Sequence, residues 1–456
     1  MSVIPAADGD LTPADGLPKP RRTFAFLTIA IAVVMAVLDG SIVNVALPAI
    51  AADQNVSPND AIWVVTIYQL AVVVSLLPFA ALGEAIGFRR VYLTGIVIFS
   101  GASLLCAMAT DLTWLAGARA VQGLGAGALM SINAALVRHI MPANELGKGI
   151  SGIALVVGVS AAAGPTIAAG ILAVSSWHWL FLINLPLSLV VIATGRLTLP
   201  RTPLNGARFD FLSALLNAAT FGFLLSGLSS IGDNIALALV ELAVSVVAAV
   251  FLARRQFSRP SPMLPIDLLR LPRFRLSVLA SICSFCAQFL AFVSLPFYFH
   301  DVLGRSEVET GLLLTPWPVA TALVAPIAGR LADRNGAELL GAAGMAVFAL
   351  GLFAVSFAES SISIWATILP LLVCGVGFGM FQAPNNRIML MSAPRERSGG
   401  ASGMQSTARL LGQSIGAAAA ALLIGYSTGF HLASLMWVAA GFAVLSGLFT
   451  IARARD

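Results

Sequence analysis

Two charged side chains lie deep inside long apolar runs of this 456-residue chain: Asp39 in the first run and Arg119 in the fourth. A charge at membrane depth costs roughly 2.5–3.5 kcal/mol on insertion scales, so each is a functional candidate that needs a partner. At 1.5 Å per helical residue, Asp39 lies about 12 Å and Arg119 about 10 Å from the same side. We expect the two to meet, either as a proton-titrating pair or as a structural ion pair.

The run that contains Arg119 carries its polar groups on one helical face. Arg119, Gln122, Ala126, Met130 and Asn133 are separated by three or four residues, which is the spacing of a single α-helical face. The stripe is predicted to line a cavity.

The composition requires a membrane as solvent for most of the chain. Apolar residues make up 58% and charged residues 10%, against roughly 25% charged in a soluble domain. The mean hydropathy is +0.92, and the apolar residues fall in runs of about 20, enough to cross a ~30 Å hydrocarbon layer. We predict an all-α membrane protein of about fourteen spans, at 24–47, 60–82, 90–109, 112–137, 149–173, 177–195, 211–230, 235–253, 276–298, 310–328, 339–357, 363–387, 405–425 and 431–451.

The arginines fix an orientation. With residues 1–23 as a cytoplasmic tail, nearly all loop arginines fall on the cytoplasmic side and only Arg305 falls outside, as the positive-inside rule requires. Both termini are therefore predicted to be cytoplasmic.

Other partner classes find little support in the sequence. Only two of the 26 basic residues are lysines, and no basic run alternates with aromatics, so nucleic-acid binding is not expected. Cys283 and Cys286 form a CxxC pair without a second Cys or His pair, so neither a metal site nor a cofactor is predicted.

The chain contains an internal repeat. Gly123, Gly125, Gly127, Asn133 and Pro142 each recur as the same residue type 252 positions later. The repeat predicts a six-helix bundle at 24–200, an inserted helix pair at 201–253, a Pro- and Arg-rich cytoplasmic linker at 254–275 and a second six-helix bundle at 276–456. Parallel repeats with a substrate site between the halves are typical of secondary transporters. The counterpart of Asp39 is Ala287 or Gln288, so the acid is confined to one half.

Two groups of residues are predicted to govern conformational change. Leu-x-acid-x-x-Gly turns with adjacent arginines could latch the cytoplasmic side, and small residues in the fifth run allow close helix approach or serve plain packing. The turn residues are Glu84, Gly87, Arg89, Arg90, Asp333, Arg334 and Gly336, and those of the fifth run are Gly158, Gly164 and Pro165.

These segments resemble the major facilitator superfamily, in particular its drug/proton antiporter branch with fourteen spans. Residues 38–48 are similar to the first-span signature, 82–90 to the loop motif that gates the inner side, 119–125 to the fourth-span motif implicated in proton transfer, and Gly158 with Gly164-Pro165 to the antiporter motif of exporters. Glu84 stands where Asp is usual and Ala85 where a basic residue is usual, which suggests a latch that rests on Arg89 and Arg90.

The resemblance implies a proton-coupled exporter of lipophilic compounds in the cell membrane that works by alternating access, with membrane lipids as surroundings. A single acid, Asp39, in an otherwise apolar cavity favours cationic compounds. The alternatives are a proton-coupled metabolite carrier and, with less support, a membrane receptor or enzyme. Asp39 and Arg119 are the expected proton-coupling residues. Glu241 is expected to snorkel or to serve packing, and Arg409 either faces the central cavity or caps an internal contact. The residues expected around the substrate are Asn44, Tyr68, Gln122, Met130, Asn133, Trp317, Phe381, Gln382 and Asn385.

Overall fold

The computed structural model describes residues 16–56, 61, 63–202, 204, 209–230, 234–257, 262, 264–304, 312–357, 364–426 and 432–454. Its regular elements are helices. In chain order they are α1 (Lys19–Asp53), α2 (Trp63–Ile86), α3 (Phe88–Ala107), α4 (Leu112–Ile140), α5 (Leu146–Val174), α6 (Trp179–Leu182), α7 (Asn184–Thr198), α8 (Phe211–Ser230), α9 (Ile235–Gln256), α10 (Ile266–Leu269), α11 (Pro272–Phe297), α12 (Pro316–Asn335), α13 (Ala337–Val355), α14 (Ile364–Ser392), α15 (Ser398–Tyr426) and α16 (Leu432–Arg453).

Twelve helices of the described part are long and apolar enough to cross a membrane. This confirms an all-α, multi-pass architecture. Two further expected spans coincide with α5 and α15, which have 29 residues each and so extend about 43 Å. These two helices are not among the twelve, so the number fourteen stays a proposal.

Several helices extend beyond the apolar runs that predicted them. Helix α1 covers Lys19–Asp53 rather than 24–47, and α15 begins at Ser398 rather than at 405. Hydropathy marks only the segment that suits lipid, whereas a helix continues as long as its backbone hydrogen bonds and its packing partners do. The extra residues 19–23 of α1 and 398–404 of α15 lie at the end of the molecule where α1 begins and α16 ends, which we call the basal face, and residues 48–53 extend α1 at the opposite end.

The two Leu-x-acid-x-x-Gly motifs form tight helix–helix turns at the basal face. Gly87 joins α2 to α3 with φ +99°, and Gly336 joins α12 to α13 with φ +87°. Because a side chain at such φ values is strained, glycine is required at both turns.

The repeated glycines make equivalent contacts in the two halves. A Cβ on Gly123 would lie 2.5 Å from the Tyr68 carbonyl oxygen, and one on Gly375 would lie 2.3 Å from that of Trp317. Glycine therefore lets α4 approach α2, and α14 approach α12, to backbone contact. The sequence repeat is thus also a repeat of packing geometry.

The helices of the first half, α1–α7, meet those of the second, α11–α16, mainly where α5 packs on α12 and α2 on α15. A Cβ on Gly158 would touch Ala322 of α12 at 3.4 Å. Helices α8 and α9 pack on each other, and α8 packs on α2, where the Asn217 amide donates to the Val74 carbonyl at 2.9 Å. The side chain of Pro165 lies outside the described part.

Gly164 packs against α1, two residues from Asp39. A Cβ there would lie 2.0 Å from Ser41 Oγ and 2.8 Å from Ser41 Cβ. We expect Gly164→Ala to destabilise the protein by about 1–3 kcal/mol through overpacking, measured by thermal unfolding in detergent.

Gly170→Ala in the same helix is the matched control, because that position has no atom within 4 Å of an added Cβ. Adding Ser41→Gly to Gly164→Ala removes both clashing atoms and should recover most of the loss. Equal melting temperatures for Gly164→Ala and Gly170→Ala would contradict close packing at this site.

Candidate functional site

Asp39 and Arg119 meet in the interior of the first half. Arg119 Nη1 donates to Asp39 Oδ2 in a direct ion pair, and Asp39 and Arg119 are only 2% and 0% exposed, respectively. Arg119 also donates from Nε to the Val64 carbonyl of α2 at 3.1 Å. The expected meeting of the two residues is confirmed, and it joins α1 to α4.

Two amides complete the shell around the Asp39 carboxylate. Oδ1 accepts hydrogen bonds from Gln122 Nε2 at 2.7 Å and from Asn184 Nδ2 at 3.1 Å. Both amides also donate to Ser103 Oγ, at 2.8 Å from Gln122 and 3.4 Å from Asn184. The network therefore ties together α1, α3, α4 and α7.

Aromatic rings close the network off from its surroundings. The Arg119 guanidinium carbon lies 4.0 Å from the Tyr68 ring centroid and 5.7 Å from that of Phe181. Tyr68 is itself held by its hydroxyl, which donates to the Ala36 carbonyl at 3.3 Å. A cation over an aromatic face is favourable, and more so away from water.

Sequence reasoning did not find Asn184 and Ser103. Asn184 is a lone amide inside an apolar run, and polar groups in such runs need partners. That signal could have identified it. Ser103 has no comparable signal, since serine is common in membrane helices, where it often bonds its own backbone.

The polar stripe of α4 divides into two parts. Gln122 and Ala126 are fully buried within the first half, whereas Met130 and Asn133 are half-buried. Ser406 of α15 donates to the Met130 carbonyl at 3.1 Å, so this second part faces the other half of the molecule. Met130 and Asn133 are therefore the residues of the stripe that lie towards the other half, and the cavity stays a prediction.

The other expected cavity residues are mostly packed inside one half. Trp317 is buried and lies 4.7 Å from Phe292 and 5.4 Å from Phe348 between ring centroids, and Phe381 belongs to the same core. Gln382 is half-buried. The side chain of Asn44 lies outside the described part.

Asn385 belongs to a polar network of the second half that the sequence did not predict. Its amide donates to Ser281 Oγ at 2.9 Å, and its Oδ1 accepts from Arg453 Nη1 at 2.5 Å. Arg453 is fully buried and also donates to Ser277 Oγ at 2.7 Å. The network joins α11, α14 and α16, so the structure places Asn385 away from the contact between the halves.

The latch at the basal face is made by Glu84. Its Oε2 accepts from Arg397 Nη1 at 2.5 Å, and its Oε1 accepts from the Gly400 N–H at 2.6 Å. Arg397 also bonds both oxygens of Asp267, at 2.8 and 2.9 Å. Burial acts to lower the pKa of Arg397, but the hydrogen bonds to Asp267 and the charge of Glu84 raise it overall, so Arg397 keeps its charge.

The contacts that the structure describes for Arg89 and Arg90 do not include one to the second half. Arg89 Nη2 donates to the Arg196 carbonyl of α7, within the first half, and Arg90 is exposed. The short motif places Glu84 two residues before the end of α2, where it faces α15, whereas the two arginines lie in the first turn of α3. The side chains of Asp333 and Arg334 lie outside the described part.

Glu241 is held inside the α8–α9 pair, where it accepts from Ser226 Oγ at 2.6 Å and Ser230 Oγ at 3.0 Å.

An open groove of about 560 Å³ lies at the basal face beside Gly336, with Arg273, Glu338 and Arg387 in its lining. The described residues contain no His, Cys, Asp and Glu cluster suited to a metal ion.

Asn184 offers a test of the network. We expect Asn184→Ala to cost about 1.5–3 kcal/mol of stability, because a hydrogen bond to the buried Asp39 carboxylate is lost. Thermal unfolding in detergent measures this. Ser188→Ala is the control, since buried Ser188 bonds only the Asn184 carbonyl one turn back and should cost much less. Equal losses would show that Asn184 acts by packing alone.

The chain is similar in sequence to two proteins named as transporters and to one named for multidrug resistance. The chain is 54% identical over 418 residues to the uncharacterized transporter YebQ of Escherichia coli, covering 90% of this chain and 91% of that protein. It is 30% identical over 403 residues to the riboflavin transporter RibZ of Clostridioides difficile, covering 87% of each chain. It is 33% identical over 393 residues to the multidrug resistance protein Stp of Mycobacterium tuberculosis, covering 84% of this chain and 72% of that protein.

The family model described as Major Facilitator Superfamily matches residues 29–417 and, in a second match, 278–455. The matches span nearly all of the helices described above. The chain is therefore a multi-pass cell-membrane transporter that belongs to the major facilitator superfamily.

Proposed function

We propose that this transporter exports lipophilic small molecules in exchange for protons. The observation that carries the proposal is the buried Asp39–Arg119 pair, because it places one titratable acid, with three donors aimed at it, in only one half of a repeated fold. Movement of α1 or α7 would remove a donor, and the preference of the carboxylate for a proton would then change. That is the property a proton carrier needs.

The basal contacts support alternating access as the mechanism. In this conformation Glu84 binds Arg397 and the Gly400 backbone, and Arg138 Nη1 donates to Ser398 Oγ at 3.1 Å. Both sets of bonds join the first half to the start of α15. The transport cycle requires them to break, so that the halves separate at the basal face and close at the opposite one.

The proposal includes the topology. Fourteen spans, counting α5 and α15, bring both termini to the basal face, and the loop arginines favour that face as cytoplasmic. Two six-helix bundles with an inserted α8–α9 pair and a linker at 254–275 then account for the repeat. A reporter fused after Asp456 should be active only inside the cell.

The relatives leave two substrate classes open. Stp is named for multidrug resistance and RibZ for riboflavin transport, so the second candidate function is transport of a specific metabolite. The expected preference for cations depended on Asp39 facing the substrate, but Asp39 is buried and fully bonded in this conformation. Export of a lipophilic dye from overexpressing cells, abolished by a protonophore, would support the first candidate.

The acid offers the direct test of coupling. Asp39→Asn keeps the side-chain size and removes titration, so dye export against a gradient should be lost. The membrane potential supplies roughly 2.3 kcal/mol per charge per 100 mV, which the variant could no longer couple to export. In detergent, dye addition should release protons from the wild type and not from Asp39→Asn.

Glu241→Gln is the matched control, since Glu241 is a carboxylate at membrane depth bonded only within the α8–α9 pair. The double variant Asp39→Asn/Arg119→Gln removes the unpaired cation if Asp39→Asn folds poorly. Proton release equal to wild type in Asp39→Asn would refute the assignment.

The latch makes a second prediction. Glu84→Gln replaces two charge-assisted hydrogen bonds by weaker ones, and a loss of about 1.4 kcal/mol shifts an equilibrium tenfold towards the open basal face. We expect faster alkylation of Ser402→Cys by a membrane-impermeant maleimide in inside-out vesicles, with the four native cysteines replaced by alanine.

Ser402 suits this measurement because it is buried on α15, near the latch. Asp210→Asn is the control, since it breaks the ion pair with Arg255 inside the α8–α9 pair at the same end. An unchanged alkylation rate in Glu84→Gln would show that the bond does not hold the halves together.

A further inference from the structure

Arg409 lies at the middle of the contact between the halves. Each residue of an α-helix is rotated by about 100° about the helix axis, so residues three positions apart differ in direction by about 60°. Positions 403, 406, 409 and 412 of α15 therefore point in directions that change by about 60° from one to the next. Gly403 packs on α2, Ser406 bonds Met130 of α4, and Gly412 packs on α11. Arg409 therefore points between α4 of the first half and α11 of the second.

Within the part of the chain that the structure describes, Arg409 has neither a hydrogen bond nor an ion pair, and it is half-buried. Among the other buried arginines, Arg119 and Arg397 each bind a carboxylate, and Arg453 donates to Asn385 and Ser277. An arginine withdrawn from bulk water without a counter-charge is costly, and guanidinium does not lose its proton in proteins. The site is thus cationic and unsatisfied.

The neighbouring polar groups on α15 have the same character. Ser402, Ser406, Arg409 and Gln413 share one helical face, and Gln405 lies beside it. Ser402 Oγ and Gln405 Oε1 are buried without a hydrogen-bond partner, as is Asn133 Oδ1 on the facing part of α4. Buried polar atoms are normally paired, so unpaired ones on both sides of this contact are groups that a polar substrate could satisfy once the halves move apart.

The carboxylates of the described helix interiors do not offset this charge. Asp39 is bound to Arg119, Glu84 to Arg397, and Glu241 to two serines of α8. The half-buried apolar side chains of Met130, Ile153 and Val157 lie in the helices that face the other half. Among the described residues, the contact between the halves therefore combines the cation of Arg409, which has no bonded counter-charge, with apolar surface.

We propose that Arg409 binds the anionic group of the substrate, and that the substrate class is lipophilic organic anions such as aromatic carboxylates or phosphate monoesters. This rests on the proposed transport function and replaces the cation preference expected from the sequence. Guanidinium suits carboxylate and phosphate because it can donate two parallel hydrogen bonds. The apolar part of the substrate packs on the facing helices.

The test compares ligands that differ by one anionic group. Two fluorescent pairs serve as probes: fluorescein against its methyl ester, and flavin mononucleotide against riboflavin. Fluorescence anisotropy on the full-length protein in detergent gives the affinity ratio for each pair. We expect the more anionic member of at least one pair to bind at least tenfold more tightly to the wild type.

The variants assign that preference to a side chain. In Arg409→Gln the ratio should fall close to one, Arg409→Lys should retain most of it, and Arg409→Glu should invert it. Arg254→Gln is the matched control, since Arg254 is exposed on α9. If Arg409→Gln has a lower melting temperature than wild type, the affinity ratios of Arg409→Lys and Arg409→Glu are compared instead, and these decide whether the charge at this position sets the preference.

Three results overturn the assignment: no preference for the anionic member in either pair, no measurable binding of fluorescein and flavin mononucleotide, or an unchanged ratio in both Arg409→Gln and Arg409→Glu. Uptake of the same dyes into inside-out vesicles tests the transport function separately. Arg409-dependent binding without protonophore-sensitive uptake would refute proton-driven export and leave the anion site standing. If riboflavin alone is taken up, if a protonophore abolishes this uptake and if the rate is the same in Arg409→Glu, the anion site is refuted and proton-driven export stands.

Discussion

The cost of withdrawing charge from water governs this molecule. A membrane offers no solvent partners, so each ionised group must find its partner within the protein. Asp39 and Arg119 satisfy each other with help from Gln122 and Asn184, and four helices of the first half are fixed as a result. Arg453 is satisfied in part by Asn385 and Ser277, which fixes three helices of the second half.

Each half is therefore held together by an internal polar network, and the alternating access we propose takes place at the contact between them. That contact is made of groups that can be separated and re-paired. Small residues bring α5 close to α12 and α2 close to α15. The Glu84–Arg397 bond lies at the basal edge, where water can solvate both charges once the halves separate. A deeply buried ion pair between the halves would resist separation, because each charge would lose its partner far from solvent.

The two halves share the same backbone packing and turns but differ in the positions of their buried charges. Gly123 and Gly375 meet the carbonyls of Tyr68 and Trp317 in the same way, and Gly87 and Gly336 form the same turn. The acid and its arginine occur in the first half only, and Arg409 occupies the second. In the transport cycle we propose, such asymmetry separates the proton site from the substrate site, and helix movement couples the two.

The sequence by itself determined the features that depend on local chemistry: a multi-pass helical membrane protein from the apolar runs, the repeat and its glycine turns, and the meeting of Asp39 with Arg119 from their depth. It could not decide which side of a helix faces the substrate. Tyr68, Trp317, Phe381 and Asn385 have residue types that suit a cavity, yet they pack within one half, and Glu84 rather than Arg89 or Arg90 reaches across the basal face. Those outcomes depend on helix rotation and on which helices are neighbours, and both are set by packing between segments far apart in the chain. For the same reason only the tertiary structure showed Arg409 without a carboxylate partner among the described residues.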